Sequence, residues 1–162
     1  MALILGLDPG TAITGYGLVR EDSGGNLTAV EYGTIRTPAG TPDAERLVIL
    51  HKRMHEIILL HRPQGSAVEK LFFQKNVRTA ITVSQARGVI LVSLAEAGIN
   101  IGEYTPNEIK QAVTGYGNAD KQQVQEMVKV LLNLDKIPKP DDAADALAVA
   151  ITHLHTNQII VE

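Results

Sequence analysis

Hydrophobic and polar positions along this chain follow two different periods, and the places where the period changes mark out its elements. Leu3-Ile4-Leu5-Gly6-Leu7 is unbroken apolar residues and glycine, stopped by Pro9-Gly10, which predicts a strand buried on both faces and ending at Asp8. Thr14–Arg20 and Leu27–Arg36 predict two further strands joined by the turn Asp22-Ser23-Gly24-Gly25-Asn26, so the opening is a three-stranded antiparallel meander. From Ala44 to His61 the period changes: Leu47, Leu50, Met54, Ile57 and Ile58 lie three or four apart with charges between them, an amphipathic helix that ends before Pro63. Ser66–Glu69 is a short strand that also ends in a carboxylate. Val77–Ala97 is apolar nearly all round, with Val77, Ile81, Gly88 and Leu91 on one side and Val83, Ala86, Ile90 and Leu94 on another. Such a helix is expected to be buried on both sides, the second covered either by a further copy of the chain or by the chain's own elements. Ile99–Tyr104 is the last strand; Pro106–Val113, Asp120–Leu134 and Asp141–His155 are helices, and the end from Thr156 is expected to fray.

Crossovers through helices place the fourth and fifth strands parallel to the first. The predicted fold class is therefore α/β, with a mixed five-stranded sheet, three strands antiparallel and two parallel, flanked by helices. Asp8 and Glu69 then end adjacent parallel strands at one edge, where open α/β sheets carry their sites. Asp142 and Asp145, three residues apart, share a helix face, and docking that helix across the edge completes a cluster of four carboxylates. Each part alone is ordinary, since Asp-Pro-Gly is also turn chemistry and Asp-x-x-Asp also suits a solvated helix. Their conjunction on this strand order is far more specific. Periodicity does not choose between Asp141 and Asp142. Lys139-Pro140 disfavours helix up to that point, which makes Asp141 the expected N-cap and leaves Asp142 projecting from the first turn.

Four acids at close range repel one another unless cations neutralise them, and hard oxygen ligands select Mg²⁺ or Mn²⁺. Two such ions roughly 4 Å apart activate a water and stabilise the leaving oxygen of a phosphodiester, so the expected chemistry is that of a nuclease with two ions per active site. With 162 residues, 44% of them hydrophobic, one domain is the expectation: a nuclease domain over residues 1–156 and a short tail over 157–162. The chain has no cysteine, which excludes disulfides and thiolate metal sites. With no basic-then-apolar leader and no run near ~18 apolar residues, it is expected to reside in the cytoplasm.

A net charge of −3 means that any nucleic acid must meet a local basic surface. Lys70, Lys75, Arg78 and Arg87 surround the end of the Glu69 strand and the start of the long helix, with Lys110 and Lys121 further on. Such residues bind phosphate without reading bases, although each one singly also suits a solvated surface. Lys121 follows the loop Gly115-Tyr116-Gly117-Asn118 and opens a helix whose N-terminal amides favour phosphate, which makes it the strongest candidate. Phe72 and Phe73 are adjacent just past Glu69; each belongs either to the core or to an exposed surface that stacks on bases or wedges between them. His51 with His55 and His153 with His155 lack a third zinc ligand and are assigned to the surface or to helix ends, with an approach of His153 to the acid site left open.

These residues also carry a resemblance. Leu7-Asp8-Pro9-Gly10-Thr11, Thr14-Gly15-Tyr16-Gly17, Val68-Glu69-Lys70-Leu71-Phe72, Gln85-Ala86-Arg87-Gly88, Glu103-Tyr104 and Asp142-Ala143-Ala144-Asp145-Ala146-Leu147-Ala148 occur in an order that resembles the RuvC family of Holliday junction resolvases, from about Ala2 to His155. The resemblance implies a ribonuclease H-like fold, a homodimer, metal-dependent nicking of two symmetrically placed strands at a four-way DNA junction, and association with the RuvA–RuvB branch-migration complex. By motif position it makes Asp8, Glu69, Asp142 and Asp145 the metal-binding and catalytic acids. Some members carry His at the position of Asp142; this chain keeps the acid. Lys110 and Lys121 fall on phosphate-contacting positions and Phe72 on the junction-distorting one, with Phe73, Lys75 and Arg78 as further candidate DNA contacts. Two other readings differ in class. A similar opening turn binds phosphate in sugar-kinase and actin-like ATPases, which need two such domains and more phosphate loops than this length supplies. The other is a non-catalytic binder of branched DNA, against which the intact acid quartet argues.

Overall fold

The computed structural model describes residues 2–70 and 77–159 of the chain. Five strands form one sheet: β1 (Ala2–Asp8), β2 (Ile13–Glu21), β3 (Leu27–Arg36), β4 (Gly65–Glu69) and β5 (Asn100–Tyr104), in the order β3-β2-β1-β4-β5. The meander β1-β2-β3 is antiparallel, and β4 and β5 lie parallel to β1 and to each other, as the crossover argument requires. Helices α1 (Asp43–His61) and α2 (Val77–Glu96) cover one face of the sheet. The other face carries α5 (Asp141–Ile159), with α3 (Pro106–Thr114) and α4 (Lys121–Leu131) packed against it.

Two cores follow from strand alternation. Leu3, Leu5, Leu7, Tyr16, Leu18 and Val68 point into the α1 and α2 side, against Leu50, Met54, Ile90 and Leu94. Ile4, Val19 and Ala67 point into the α5 side, against Leu147 and Ile151. Leu5 and Leu7 are wholly buried, so each contributes on the order of 1.5–3 kcal/mol of transfer free energy and together they fix the register of β1.

Three expectations meet differences. Within the described residues α2 is covered on one side only: Ala86, Ile90 and Leu94 are buried, whereas Val77, Ile81 and Val92 are 69%, 54% and 52% exposed. The chain's own described elements therefore do not sandwich this helix. At its start α4 is capped by Asp120, and it ends at Leu131, shorter than its apolar pattern suggested, because Asn133 adopts a left-handed conformation with φ 52°. Finally, α5 continues to Ile159, beyond His155 where its pattern weakened.

Candidate active site

The alternation that builds the cores also aims the acids. With Leu3, Leu5 and Leu7 turned toward α1 and α2, Asp8 at the end of β1 faces α5. Ala67 belongs to the α5 side and Val68 to the other, so Glu69 turns toward α5 as well. The first turns of α5 cross this edge, and one carboxylate oxygen from each of Asp8, Asp142 and Asp145 lies within 4.8 Å of the others. Glu69 stands at the margin of this trio. It lines a cavity of about 250 Å³ with Asp145, Lys110 and Lys121.

Glycine lets α5 approach this closely. A Cβ on Gly15, which pairs with Asp8 in the β1–β2 ladder, would overlap the carbonyl oxygen of Asp142; one on Gly6 would overlap that of Ala146. The helix thus rests on bare strand backbone. Its first turn corrects the capping assignment: the Pro140 carbonyl accepts from Ala143 N at 3.0 Å and Ala144 N at 3.3 Å, so Asp141 is inside the helix and is not its N-cap. The carboxylate of Asp141 is drawn instead to α4, accepting from Gln125 Nε2 at 3.2 Å and lying 3.4 Å from Lys121 Nζ. Asp142, the next residue round the helix, is the one that meets Asp8. The turn after Asp8 is tied down separately: Thr11 Oγ1 donates to the Thr82 carbonyl of α2 at 2.8 Å, and Thr37 Oγ1 donates to the Thr11 carbonyl at 2.8 Å.

Burial, followed by the charges of Asp145, Asp142 and Glu69, pushes the Asp8 carboxyl up to about 8. Burial also raises Asp145, with Lys121 acting in the opposite direction, and burial raises Glu69, where Asp145 adds to the effect while Lys110 and Lys121 oppose it. For Lys121 itself, desolvation disfavours the charged form, but Asp145 and Asp141 outweigh it and hold its pKa above the ordinary lysine value. Carboxylates so close that one retains a proton at neutral pH fit a hard divalent cation, which would relieve the repulsion through oxygen ligands alone.

A model of the family "Crossover junction endodeoxyribonuclease RuvC" matches residues 4–153. The chain belongs to the RuvC family. A crossover junction endodeoxyribonuclease RuvC of Heliobacterium modesticaldum is 58% identical over 154 residues, spanning 95% of this chain and 94% of the relative. One of Desulfitobacterium hafniense is 55% identical over 158 residues, spanning 98% and 95%. A structure of Thermus thermophilus RuvC in complex with a Holliday junction substrate superposes with a TM-score of 0.93 at 34% identity, covering 98% of this chain and 96% of that one. These matches place the five-stranded mixed sheet among ribonuclease H-like RuvC folds.

Within this RuvC-family chain, the remaining sequence candidates fall into distinct places. Lys110 is half-buried and Lys121 exposed, both in the wall of the Glu69–Asp145 cavity. At the start of α4 the Asp120 carboxylate accepts from Gln123 N at 2.8 Å, which takes up one of the N-terminal amides of the helix that Lys121 opens. Lys121 is directed at Asp141 and Asp145, the latter 3.6 Å away. Arg78 is exposed on the first turn of α2, and Arg87 pairs with Glu103 of β5. Phe72, Phe73 and Lys75 lie outside the described residues. His153 does not join the acids: it sits two turns further along α5, where Nδ1 shares a 2.7 Å hydrogen bond with the Tyr104 hydroxyl and burial lowers its pKa. Sequence reasoning missed the glycines. The alternation Gly15-x-Gly17 inside a strand was the available signal, since it marks a strip where another backbone approaches.

Proposed function

We propose that this chain resolves four-way DNA junctions in recombination and repair, acting as a metal-dependent endonuclease with Asp8, Glu69, Asp142 and Asp145 as its acids. The observation that carries the reading is the Asp8–Asp142–Asp145 trio at the strand ends of a chain whose family is the crossover junction endodeoxyribonucleases. The trio would hold one Mg²⁺ or Mn²⁺, and Glu69 with Asp8 a second. When bound, the ions supply Lewis-acid activation of water and neutralise charge on the leaving oxygen. The chain's own residues do the rest. Gly15 lets α5 seat Asp142 opposite Asp8, burial keeps bulk water from screening the acids, and Lys110 and Lys121 draw a phosphate to the cavity wall beside Glu69. Phe72, Phe73, Lys75 and Arg78 remain proposed DNA contacts on the strength of their positions next to Glu69.

A homodimer is part of the proposal, because Val77, Ile81 and Val92 leave an apolar strip on α2 that a second copy would cover, and two-fold symmetry matches paired strands. Association with RuvA–RuvB follows the family. No helix among the described residues is long and apolar enough to cross a membrane, and a cytoplasmic setting completes the proposal. Incubation with a synthetic four-way junction in Mg²⁺ or Mn²⁺ tests it. Paired nicks at symmetric positions are expected. Tight binding without cleavage in either metal would favour the non-catalytic binder instead.

A further inference from the structure

Tyr116 takes no part in the acid site, yet its side chain stands in solvent, 57% exposed, on a backbone that is held from both sides. Gly115 turns the chain with φ 77°, and Gln111 Nε2 donates to its carbonyl at 3.1 Å. Thr114 Oγ1 accepts from Tyr116 N at 3.1 Å, and the Tyr116 carbonyl accepts from Ala119 N at 3.2 Å. An aromatic ring displayed on an ordered turn carries apolar area that folding has left uncovered.

Beside the ring is a hollow of about 490 Å³, whose lining includes Tyr116, Ala119, Met127, the polar Gln122 and Gln123, and the acidic Asp120 and Glu126, the Asp120 carboxylate being engaged by Gln123 N. A volume near 500 Å³ suits a small organic group. Its chemistry is selective. Ring, methyl and thioether offer a flat apolar contact, the Gln122 amide offers a donor and an acceptor, and the Glu126 carboxylate disfavours a phosphate. A nucleobase meets all three conditions. Gln122 adjoins Lys121 in sequence, and Lys121 belongs to the neighbouring cavity with Glu69 and Asp145. The first turn of α4 therefore borders both places, with Gln122 and Gln123 lining the hollow and Lys121 lining the cavity beside Glu69, so a strand that crosses this turn would pass both.

We propose that Tyr116 is a stacking platform: the DNA strand whose phosphate meets Lys121 lays a base against the Tyr116 ring in this hollow. The inference rests on the junction-nuclease reading above. Stacking on an aromatic ring suits every base, so the platform adds affinity and holds the strand without dictating sequence.

The chain contains no tryptophan, so Tyr116→Trp provides a single indole reporter. Junction affinity and its salt dependence are measured without divalent metal for the wild type, Tyr116→Phe and Tyr116→Ala, with emission followed for Tyr116→Trp. Tyr116→Ala should bind about 5- to 100-fold more weakly with the same salt slope, since no phosphate-facing charge is lost. Tyr116→Phe should bind like the wild type, and the indole emission should be quenched by the junction. The platform is overturned if Tyr116→Ala binds as tightly as the wild type, if Tyr116→Phe loses as much as Tyr116→Ala, or if the emission does not respond. A wild type that fails to bind four-way junctions removes the nuclease reading and the platform together. A wild type that binds while Tyr116→Ala matches it removes the platform alone.

Discussion

The ammonium of Lys121 lies 3.6 Å from the carboxylate of Asp145, so a cation of α4 is engaged with an acid of the site. The lysine side chain is 57% exposed, and a pair this open to water contributes little to stability, on the order of 0–1 kcal/mol. Its value is positional, as it keeps a positive charge at the mouth of an acidic cluster. Lys121→Ala should leave the melting temperature nearly unchanged, weaken junction binding, and make the logarithmic salt dependence shallower by about one unit. Affinities measured across a salt series check this; an unchanged slope would mean that Lys121 does not meet phosphate.

Asp141 and Asp142 are neighbours with separate surroundings. The first is held by Gln125 and Lys121, and the second faces Asp8. Asp142→Asn should reduce cleavage in Mg²⁺ and in Mn²⁺ by about 1,000-fold or more while preserving junction binding, because it removes a metal-ligand charge but no DNA contact. Asp141→Asn should stay active. The reverse pattern, an active Asp142→Asn beside a dead Asp141→Asn, would make Asp141 the ligand and overturn the assignment to Asp142.

The raised Asp8 carboxyl gives the metal-free protein a definite pH response. Its folded pKa of about 8 lies above the ordinary 3.8, so between those values the folded chain holds a proton that the unfolded chain has released. That contribution is fully present below about pH 4 and is lost as pH rises toward 8, with a slope of up to roughly 1.4 kcal/mol per pH unit. Urea unfolding in a chelator at pH 5 and pH 8 should show lower stability at the higher pH. Asp8→Asn should flatten this dependence and raise stability at pH 8, as should Mg²⁺ for the wild type. Wild-type stability that rises from pH 5 to pH 8 would contradict the assignment.

Gly15 supports Asp142 by lacking a side chain. In Gly15→Ala the new methyl overlaps helix backbone, which cannot swing aside as a flexible side chain would. The expected cost is about 1–3 kcal/mol of stability, with a larger proportional loss of cleavage because α5 must lift and carry Asp142 away from Asp8. Unfolding and cleavage measured on one preparation separate the two effects; wild-type activity would show that the helix tolerates the shift.

The exposed strip on α2 predicts assembly. Sedimentation at micromolar concentration should show a dimer for the wild type and a monomer for Ile81→Lys, since a charge at the centre of an apolar interface goes unpaired. A wild type that remains monomeric with and without DNA would remove the dimer.

Much of this was legible in the sequence for identifiable reasons. The unbroken apolar run at Leu3–Leu7, the short turn at Asp22–Asn26 and the helical crossovers leave few sheets that the chain can form, and they put Asp8 and Glu69 at one edge. Asp142 rather than Asp141 is the residue brought beside Asp8 and Asp145, but not because Asp141 caps the helix: the Pro140 carbonyl opens α5 and leaves Asp141 inside it. The helix terminus before Lys121 was also only partly legible, since the capping box of Asp120 and Gln123 takes up the amides of those two residues. Periodicity told that α2 was apolar on two sides but not what would cover the second. Composition could not announce Gly6 and Gly15 as supports of the site, because their effect appears only when α5 is laid on the strands.

Thr11 adds a mechanical aspect to the first carboxylate. Its hydroxyl is fastened to the Thr82 carbonyl of α2, so the short stretch from Asp8 to Thr11 is anchored at its far end to the helix that bears the uncovered apolar strip. Asp8 is therefore referenced to two bodies at once: the sheet, through the ladder of β1, and α2, through one hydrogen bond. A shift of α2 along the sheet would therefore strain this link together with the core packing of Ala86, Ile90 and Leu94, which makes Thr11 a tie between the outer helix and the end of β1 that carries Asp8.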